Sequence, residues 1–171
     1  ITGGCGFIGS NFLNIMVPKH KNIKFHNIDK LTYAGKTKNL NKIRNSNNYS
    51  FSKLDICNFK KVNKVIKKFK PNIIVHFAAE SHVDNSIKDP FSFAKTNIQG
   101  TLNLLESARK NWGNKAKKQR FYHISTDEVY GSLGLDGSFN EKSKYDPNSP
   151  YSASKASSDM IVRSYVETYG M

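Results

Sequence analysis

What most constrains this chain is the order of its apolar segments. Four short runs rich in β-branched and aromatic residues, NIKFHNID (22–29), YSFSKLD (49–55), NIIVHFAAE (72–80) and RFYHISTDE (120–128), each end in polar residues. Between them stand segments with a helical period: FIGSNFLNIMV (7–17), TKNLNKIR (37–44), NFKKVNKVIKKFKP (58–71) and PFSFAKTNIQGTLNLLESARKN (90–111). A further helical segment, SPYSASKASSDMIVRSYVETYG (149–170), follows the last run. A helix between successive strands brings the chain back to the same end of the sheet, so this order predicts a parallel sheet with crossover helices. The expected fold class is α/β, a doubly wound parallel sheet.

With 171 residues, 37% of them hydrophobic, there is material for one core of ordinary size, hence one domain over 1–171. No apolar run approaches the roughly 20 residues of a membrane helix, and no basic stretch with an apolar core opens the chain. A soluble, cytoplasmic protein without membrane contact is expected. The two cysteines, Cys5 and Cys57, build neither a disulfide framework nor a thiolate zinc site, so no metal is expected and both are read as buried thiols. ITGG opens without methionine, where a strand of about five residues is expected. ETYGM stops directly after a helical pattern. The expectation is a fragment truncated at both ends. GSLGLDGSFNEKSKYDPNSP (131–150), full of turn formers, is expected to be an ordered loop or lid.

A net charge of +14 raises the question of nucleic acid. Much of it sits in the third helical segment, where Val62, Val65, Ile66 and Phe69 fall on one face and Lys60, Lys61, Lys64, Lys67 and Lys68 cover the rest. That is a solvated surface helix, and no helix-turn-helix, RNP or zinc-finger signature accompanies it. No nucleic-acid partner is expected.

TGGCGFIG places Gly3, Gly6 and Gly9 directly after a strand stub and at the start of a helix. Glycine permits a tight turn and close approach of a pyrophosphate to the exposed N–H groups of the helix end. Alone the triplet is weak. Support comes about 20 residues on, where Asp29 ends the next strand and is placed to hold the adenosine ribose hydroxyls. A carboxylate there repels a 2′-phosphate, which favours NAD over NADP, although Lys30 weakens that preference. Asp55 and Ile56, at the end of the next strand, are placed to border the adenine. After NIIVHF come Ala78 and Ala79, small enough for a dinucleotide to lie against the backbone. The pattern is Rossmann-like.

In the last helical segment Tyr151 and Lys155 stand one helical turn apart on one face. An ammonium beside a phenol lowers the cost of the phenolate, making it a usable base against a sugar hydroxyl. Thr126 or Ser125, at the end of the fourth run, would complete a set of hydroxyl, base and cation.

Taken together, GGCGFIGSN, DKLTYAG, FAAESHVDNSI, TNIQGTLNLLE, STDEVYG and SPYSASKASSD resemble the extended short-chain dehydrogenase/reductase family, in its nucleotide-sugar dehydratase branch. The blocks cover nearly the whole chain. The resemblance implies that NAD is lined by Phe7, Ile8, Asp29, Lys30, Leu31, Thr32, Asp55, Ile56, Phe77, Ala78, Ala79, Ser81 and Thr96 beside the three glycines, with Tyr151 and Lys155 at the nicotinamide. Ser81 and Thr126 would touch the sugar, and the substrate implied is dTDP-glucose. Asp127 would be the general acid and Glu128 the general base of an elimination, Tyr151 taking the C4 hydroxyl proton. The chemistry needs both carboxyls: a ketone at C4 acidifies the C5 proton, and one group takes that proton while the other protonates the departing C6 hydroxyl. Such a pair calls for a strand that ends at or before Thr126 and then turns.

The resemblance also implies a homodimer, through the helices beginning near Phe91 and Tyr151, and a C-terminal substrate-binding part that this chain lacks. Two departures are visible: Cys5 where alanine is more usual, and Asn85 where arginine is frequent. The alternatives are a sister NAD-dependent nucleotide-sugar epimerase or decarboxylase, or a non-catalytic NAD-binding protein.

Overall fold

The structure, a computed structural model, describes residues 1–113 and 118–171. Its sheet is parallel throughout. Strand β1 (Phe25–Asp29) pairs with β2 (Tyr49–Lys53), from Phe25 opposite Tyr49 to Asp29 opposite Lys53. Strand β3 (Ile73–His76) pairs with β4 (Arg120–His123).

The two pairs are joined through Thr2, which bridges Ile28 on one side and His76 on the other. Thr2 N–H donates to the Val75 carbonyl at 3.0 Å, its carbonyl accepts from Phe77 at 3.0 Å, and Gly3 N–H donates to Ile28 at 2.9 Å. The spatial order is therefore β2, β1, Thr2, β3, β4. The chain builds outward to one side of Thr2 and then to the other, and a crevice opens where the order reverses, at the carboxyl ends of the strands.

Helix α1 (Phe7–Lys19) follows the glycine turn at once. Its Leu13 and Val17 pack with Cys5, Phe25, Leu40 and Ile43 into one core cluster. A second cluster joins Val62 and Ile66 of α2 (Phe59–Phe69) and Leu104, Ala108 and Trp112 of α5 (Gly100–Trp112) to Ile28, Ile56 and Ile74. Helix α2 is the amphipathic element its period predicts: Asn58 caps it by accepting from Lys61 N–H, its lysines are exposed, and Lys70 ends it in the left-handed region at φ 52° before Pro71.

The long fourth helical segment is interrupted. Helix α4 (Pro90–Phe93) passes through a π-helical stretch (Ala94–Gln99) into α5. Buried Asn97 marks the change: its amide brackets the backbone of Glu80 at 2.9 and 3.0 Å and donates to Ser154 Oγ at 2.8 Å. Helix α6 (Pro150–Tyr169) starts in a capping box of Ser149 and Ser152 with proline at its first position. It is tied to α5 where Tyr165 OH donates to Glu106 at 2.6 Å.

Three expectations are corrected. Residues 37–44 form only a 3₁₀ turn (Thr37–Leu40), because Asn39 sends its amide to the Cys5 carbonyl at 2.9 Å and so serves the glycine loop rather than a longer helix. Residues after His82, where the periodicity predicts no element, form helix α3 (Val83–Lys88). Of the two thiols only Cys5 is buried. Cys57 is half-buried and points its Sγ at the Lys95 carbonyl.

The loop after Gly131 packs back on the turn before it. Asp146 N–H donates to Val129 at 3.0 Å, and the Tyr130 ring packs on Phe139 and Tyr145. Among the described residues no helix is long and apolar enough to cross a membrane, and no group of His, Cys, Asp or Glu is placed to hold a metal ion.

Candidate active site

The glycine turn is shaped by two close approaches. Gly3 adopts φ +71°, and a Cβ there would lie 2.5 Å from Ala78 N; at Gly9 a Cβ would lie 2.4 Å from the Gly3 carbonyl oxygen. These two press the turn against β3 and α1. Gly6 differs, since a Cβ there would meet only the Gly3 oxygen, at 3.4 Å. It caps α1 with no side chain on the first N–H groups and no acidic residue in the first turn, so that helix end faces the crevice with its donors free for an anion.

Asp29 ends β1 nearly buried. One carboxylate oxygen accepts from Cys5 N–H at 2.9 Å, the other from Leu31 N–H at 2.8 Å. The residue therefore holds the glycine loop and the following turn together, a task the sequence reading did not assign to it. Leu31 itself sits at φ +61°, turned by that bond.

A cleft of about 380 Å³ occupies the crevice, and fifteen of the eighteen residues proposed for the cofactor border it. Gly3, Gly6, Phe7, Ile8 and Gly9 form one wall; Asp29, Lys30 and Thr32, with Asp55 and Ile56, form the second; Phe77, Ala78, Ala79, Ser81 and Thr96 form the third. Lys30 pairs with Asp55 at 2.9 Å. Leu31, Tyr151 and Lys155 do not border it. Glu80 does, as do His82 and Ile124, which the sequence reading left out. Burial pushes the Glu80 carboxyl up, with Lys30 opposing. His82 packs against Tyr33, whose phenol hydrogen-bonds Asn85, the position where the resemblance implies arginine. A second cavity, about 730 Å³ at the amino ends of the strands, is lined largely by apolar side chains and holds none of the proposed catalytic residues.

Beyond Ile124 the chain makes the turn that the acid pair requires. Strand β4 stops at His123, residues 124–126 run on extended, and Thr126 caps a 3₁₀ turn (Asp127–Tyr130) by accepting from Glu128 N–H at 3.3 Å. Asp127 and Glu128 thus occupy the first turn of that short helix, Asp127 exposed and Glu128 half-buried. The Thr126 hydroxyl also faces the phenol of Tyr151. Ser81 lies exposed on the cleft wall.

Tyr151 and Lys155 are both buried on α6, and Lys155 Nζ donates to the Ile124 carbonyl at 2.6 Å. Burial lowers the Lys155 ammonium to about 8, against the opposing charge of Asp159. Burial likewise pushes the Tyr151 phenol up; the Thr126 hydroxyl opposes this, while Glu128 and Asp127 add to it. The expected lowering of the phenol by Lys155 is therefore not the dominant effect here. The ammonium is spent on a backbone carbonyl, and removal from water outweighs what the neighbours supply.

Parallel order around Thr2, a glycine turn at a free helix end, and a tyrosine–lysine helix beside a strand terminus define a Rossmann-like domain of the extended short-chain dehydrogenase/reductase class. Over residues 1–171 the sequence matches the pattern described as GDP-mannose 4,6 dehydratase, and the chain belongs to that family. It is 47% identical to a dTDP-glucose 4,6-dehydratase of Neisseria meningitidis, over all of this chain and 49% of that protein. With a probable dTDP-glucose 4,6-dehydratase of Sinorhizobium fredii it shares 46% over the same fractions. The chain spans about half the length of the curated relatives it matches. Among solved structures, a Bacillus anthracis dTDP-glucose 4,6-dehydratase in complex with NAD superposes with a TM-score of 0.84 at 44% identity, over 99% of this chain and 50% of that one. A Thermus thermophilus UDP-glucose 4-epimerase, also with NAD, gives 0.85 at 28% identity over 99% and 51%.

Proposed function

We propose that the intact protein is a nucleotide-sugar 4,6-dehydratase that binds NAD in the cleft and converts dTDP-glucose to dTDP-4-keto-6-deoxyglucose. The observation that carries this reading is the double role of Thr126, whose hydroxyl meets the Tyr151 phenol while the same residue caps the turn bearing Asp127 and Glu128. That brings an alcohol-handling pair and two carboxyls to one strand end, beside a cleft whose glycine wall and free α1 terminus suit a pyrophosphate. This chain is then the NAD-binding domain, and the pocket for the nucleotide half of the substrate lies outside it.

Bound NAD would supply the acceptor that oxidises C4 and later returns the hydride at C6. Tyr151 takes the C4 hydroxyl proton, and Thr126 orients that hydroxyl. Glu128 removes the C5 proton and Asp127 protonates the oxygen leaving C6. Lys155, pinned to Ile124, holds α6 at the end of β4 and places a positive charge behind the phenol.

The test is turnover of dTDP-glucose by the intact protein, with the product identified by NMR. Glu128→Gln should cut loss of deuterium from C5-deuterated substrate by about 10²-fold or more; wild-type exchange in that variant would remove Glu128 from its role. A C4 epimer as the wild-type product would transfer the protein to the epimerases, which need only the hydroxyl, Tyr151 and Lys155. We also infer a cytoplasmic location and a homodimer, the latter supported by the exposed apolar side chains of Phe91, Leu102 and Met160 on α4, α5 and α6.

A further inference from the structure

Four residues past Lys155 on α6, Asp159 meets three side chains from two other parts of the chain. Its Oδ2 accepts from Ser125 Oγ at 2.5 Å and from Tyr145 OH at 3.1 Å. Its Oδ1 lies 3.1 Å from His123 Nε2, a nitrogen shared with Ser158 Oγ at the same distance. The side chain is only 12% exposed. His123 ends β4, Ser125 precedes the acid-pair turn by one residue, and Tyr145 belongs to the loop after Gly131.

Residues 151, 155 and 159 recur at four-residue spacing, so Tyr151, Lys155 and Asp159 lie along one side of α6. Lys155 grips Ile124 through its carbonyl and Asp159 grips Ser125 through its hydroxyl. Between them they seize consecutive residues just before Thr126, which sets where Asp127 and Glu128 begin.

We propose that Asp159 is a positioning residue: its carboxylate locks the strand end at Ser125 and the loop at Tyr145 onto the tyrosine–lysine helix, holding the acid-pair turn in register with Tyr151. The role rests on the dehydratase reading for its chemical meaning, while the clamp itself stands on the contacts. The charged and titratable groups around it are His123 from β4, Tyr145 from the loop, and Lys155 and Arg163 from α6; His76 from β3 faces Lys155, and Asp127 and Glu128 face Tyr151. Asp159 is the one that favours the ammonium against burial.

The test compares the intact wild-type protein with two variants. Asp159→Asn keeps the shape and removes the charge. Its Lys155, followed by NMR of carbon-labelled lysine, should titrate lower than in the wild type, and the alkaline limb of kcat should move the same way. At neutral pH kcat should fall by about tenfold or more with KM within about twofold, the pattern of a displaced catalytic group rather than a lost substrate contact. Wild-type kcat in the folded variant would overturn the proposal. The double variant Ser125→Ala/Tyr145→Phe keeps the carboxylate and removes two of its donors. It should leave the Lys155 midpoint in place, lower kcat, and speed proteolysis within 131–149 by several-fold; wild-type kcat together with wild-type proteolysis there would equally overturn it. Should the wild type fail to convert dTDP-glucose, the functional reading falls, while the proteolysis still decides the role of Asp159.

Discussion

Lys155 Nζ donates to the carbonyl of Ile124 at 2.6 Å, and that bond ties the tyrosine–lysine helix to the wall of the cleft. Ile124 borders the cleft and Lys155 does not, so the lysine acts on the site through a backbone group as well as through its charge. Its burial is costly, and the cost has a measurable pH dependence.

The folded-state value of Lys155 is about 8, below the ordinary 10.5. Between those values the unfolded chain binds the proton and the folded chain does not, so stability rises with pH across that window. Relative to Lys155→Met, the wild type should gain up to ~3 kcal/mol between pH about 8 and 10.5, read from urea unfolding. A difference that stays level over this window would show that the ammonium is not desolvated.

Glu106 behaves in the opposite sense. The bidentate hydrogen bond from Arg109, assisted by Tyr165, lowers its carboxyl to about 2 from the usual 4.5. Stability from this group is fully present above pH 4.5 and drains away as pH falls toward 2. Because solvent reaches the cluster, the amount is ~1 kcal/mol rather than the full value of the shift. Glu106→Gln should therefore be less stable at neutral pH and show a shallower acid limb in unfolding experiments.

The glycine turn separates folding from binding. Gly3→Ala places a methyl 2.5 Å from Ala78 N at a positive φ, and should cost ~3 kcal/mol or more or prevent folding. Gly6→Ala meets no such obstacle within the protein. It should fold with a near-normal melting temperature but lose NAD affinity by on the order of tenfold, because the methyl enters the space before α1. Calorimetry and NAD titration read the two effects; equal NAD binding by Gly6→Ala would show that the turn is not the pyrophosphate site.

Phe91 stands 82% exposed at the start of α4. Burying such a side chain is worth about 2 kcal/mol, and a charge in its place removes that gain and repels its symmetry mate. Phe91→Asp should sediment as a folded monomer at concentrations where the wild type is dimeric. A wild-type sedimentation coefficient in the variant would move the interface elsewhere.

Much of this was legible in the residues themselves. The four strands, α1, α2 and α6 follow from local periodicity and caps, which act over a few residues and need no partner: Asn58 before the lysine-rich helix and Ser149–Pro150 before the last one are examples. Asp29, Asp55, Ile56, Ala78 and Ala79 were legible for a related reason, since a strand end followed by a small or acidic residue marks the crevice in any sheet of this order; the other cleft-lining residues came with the family resemblance. Where the chain departs from its local pattern, a distant contact is responsible. Asn39 turns to the glycine loop and residues 37–44 close as a 3₁₀ turn; Asn97 reaches Glu80 and Ser154 and the helix opens into a π stretch.

The sequence by itself determined the order of strands and helices, the glycine turn, and which residue types stand at each strand end, because these depend on spacing along the chain. Only the tertiary structure decided that Thr2 joins the two strand pairs, that Asp29 spends both oxygens on backbone N–H groups, and that Asp159 gathers His123, Ser125 and Tyr145. Apart from Asp29 to Leu31, two positions apart, those pairings link residues 14 to 75 positions apart. Their geometry depends on how the layers pack, and local spacing carries no record of it.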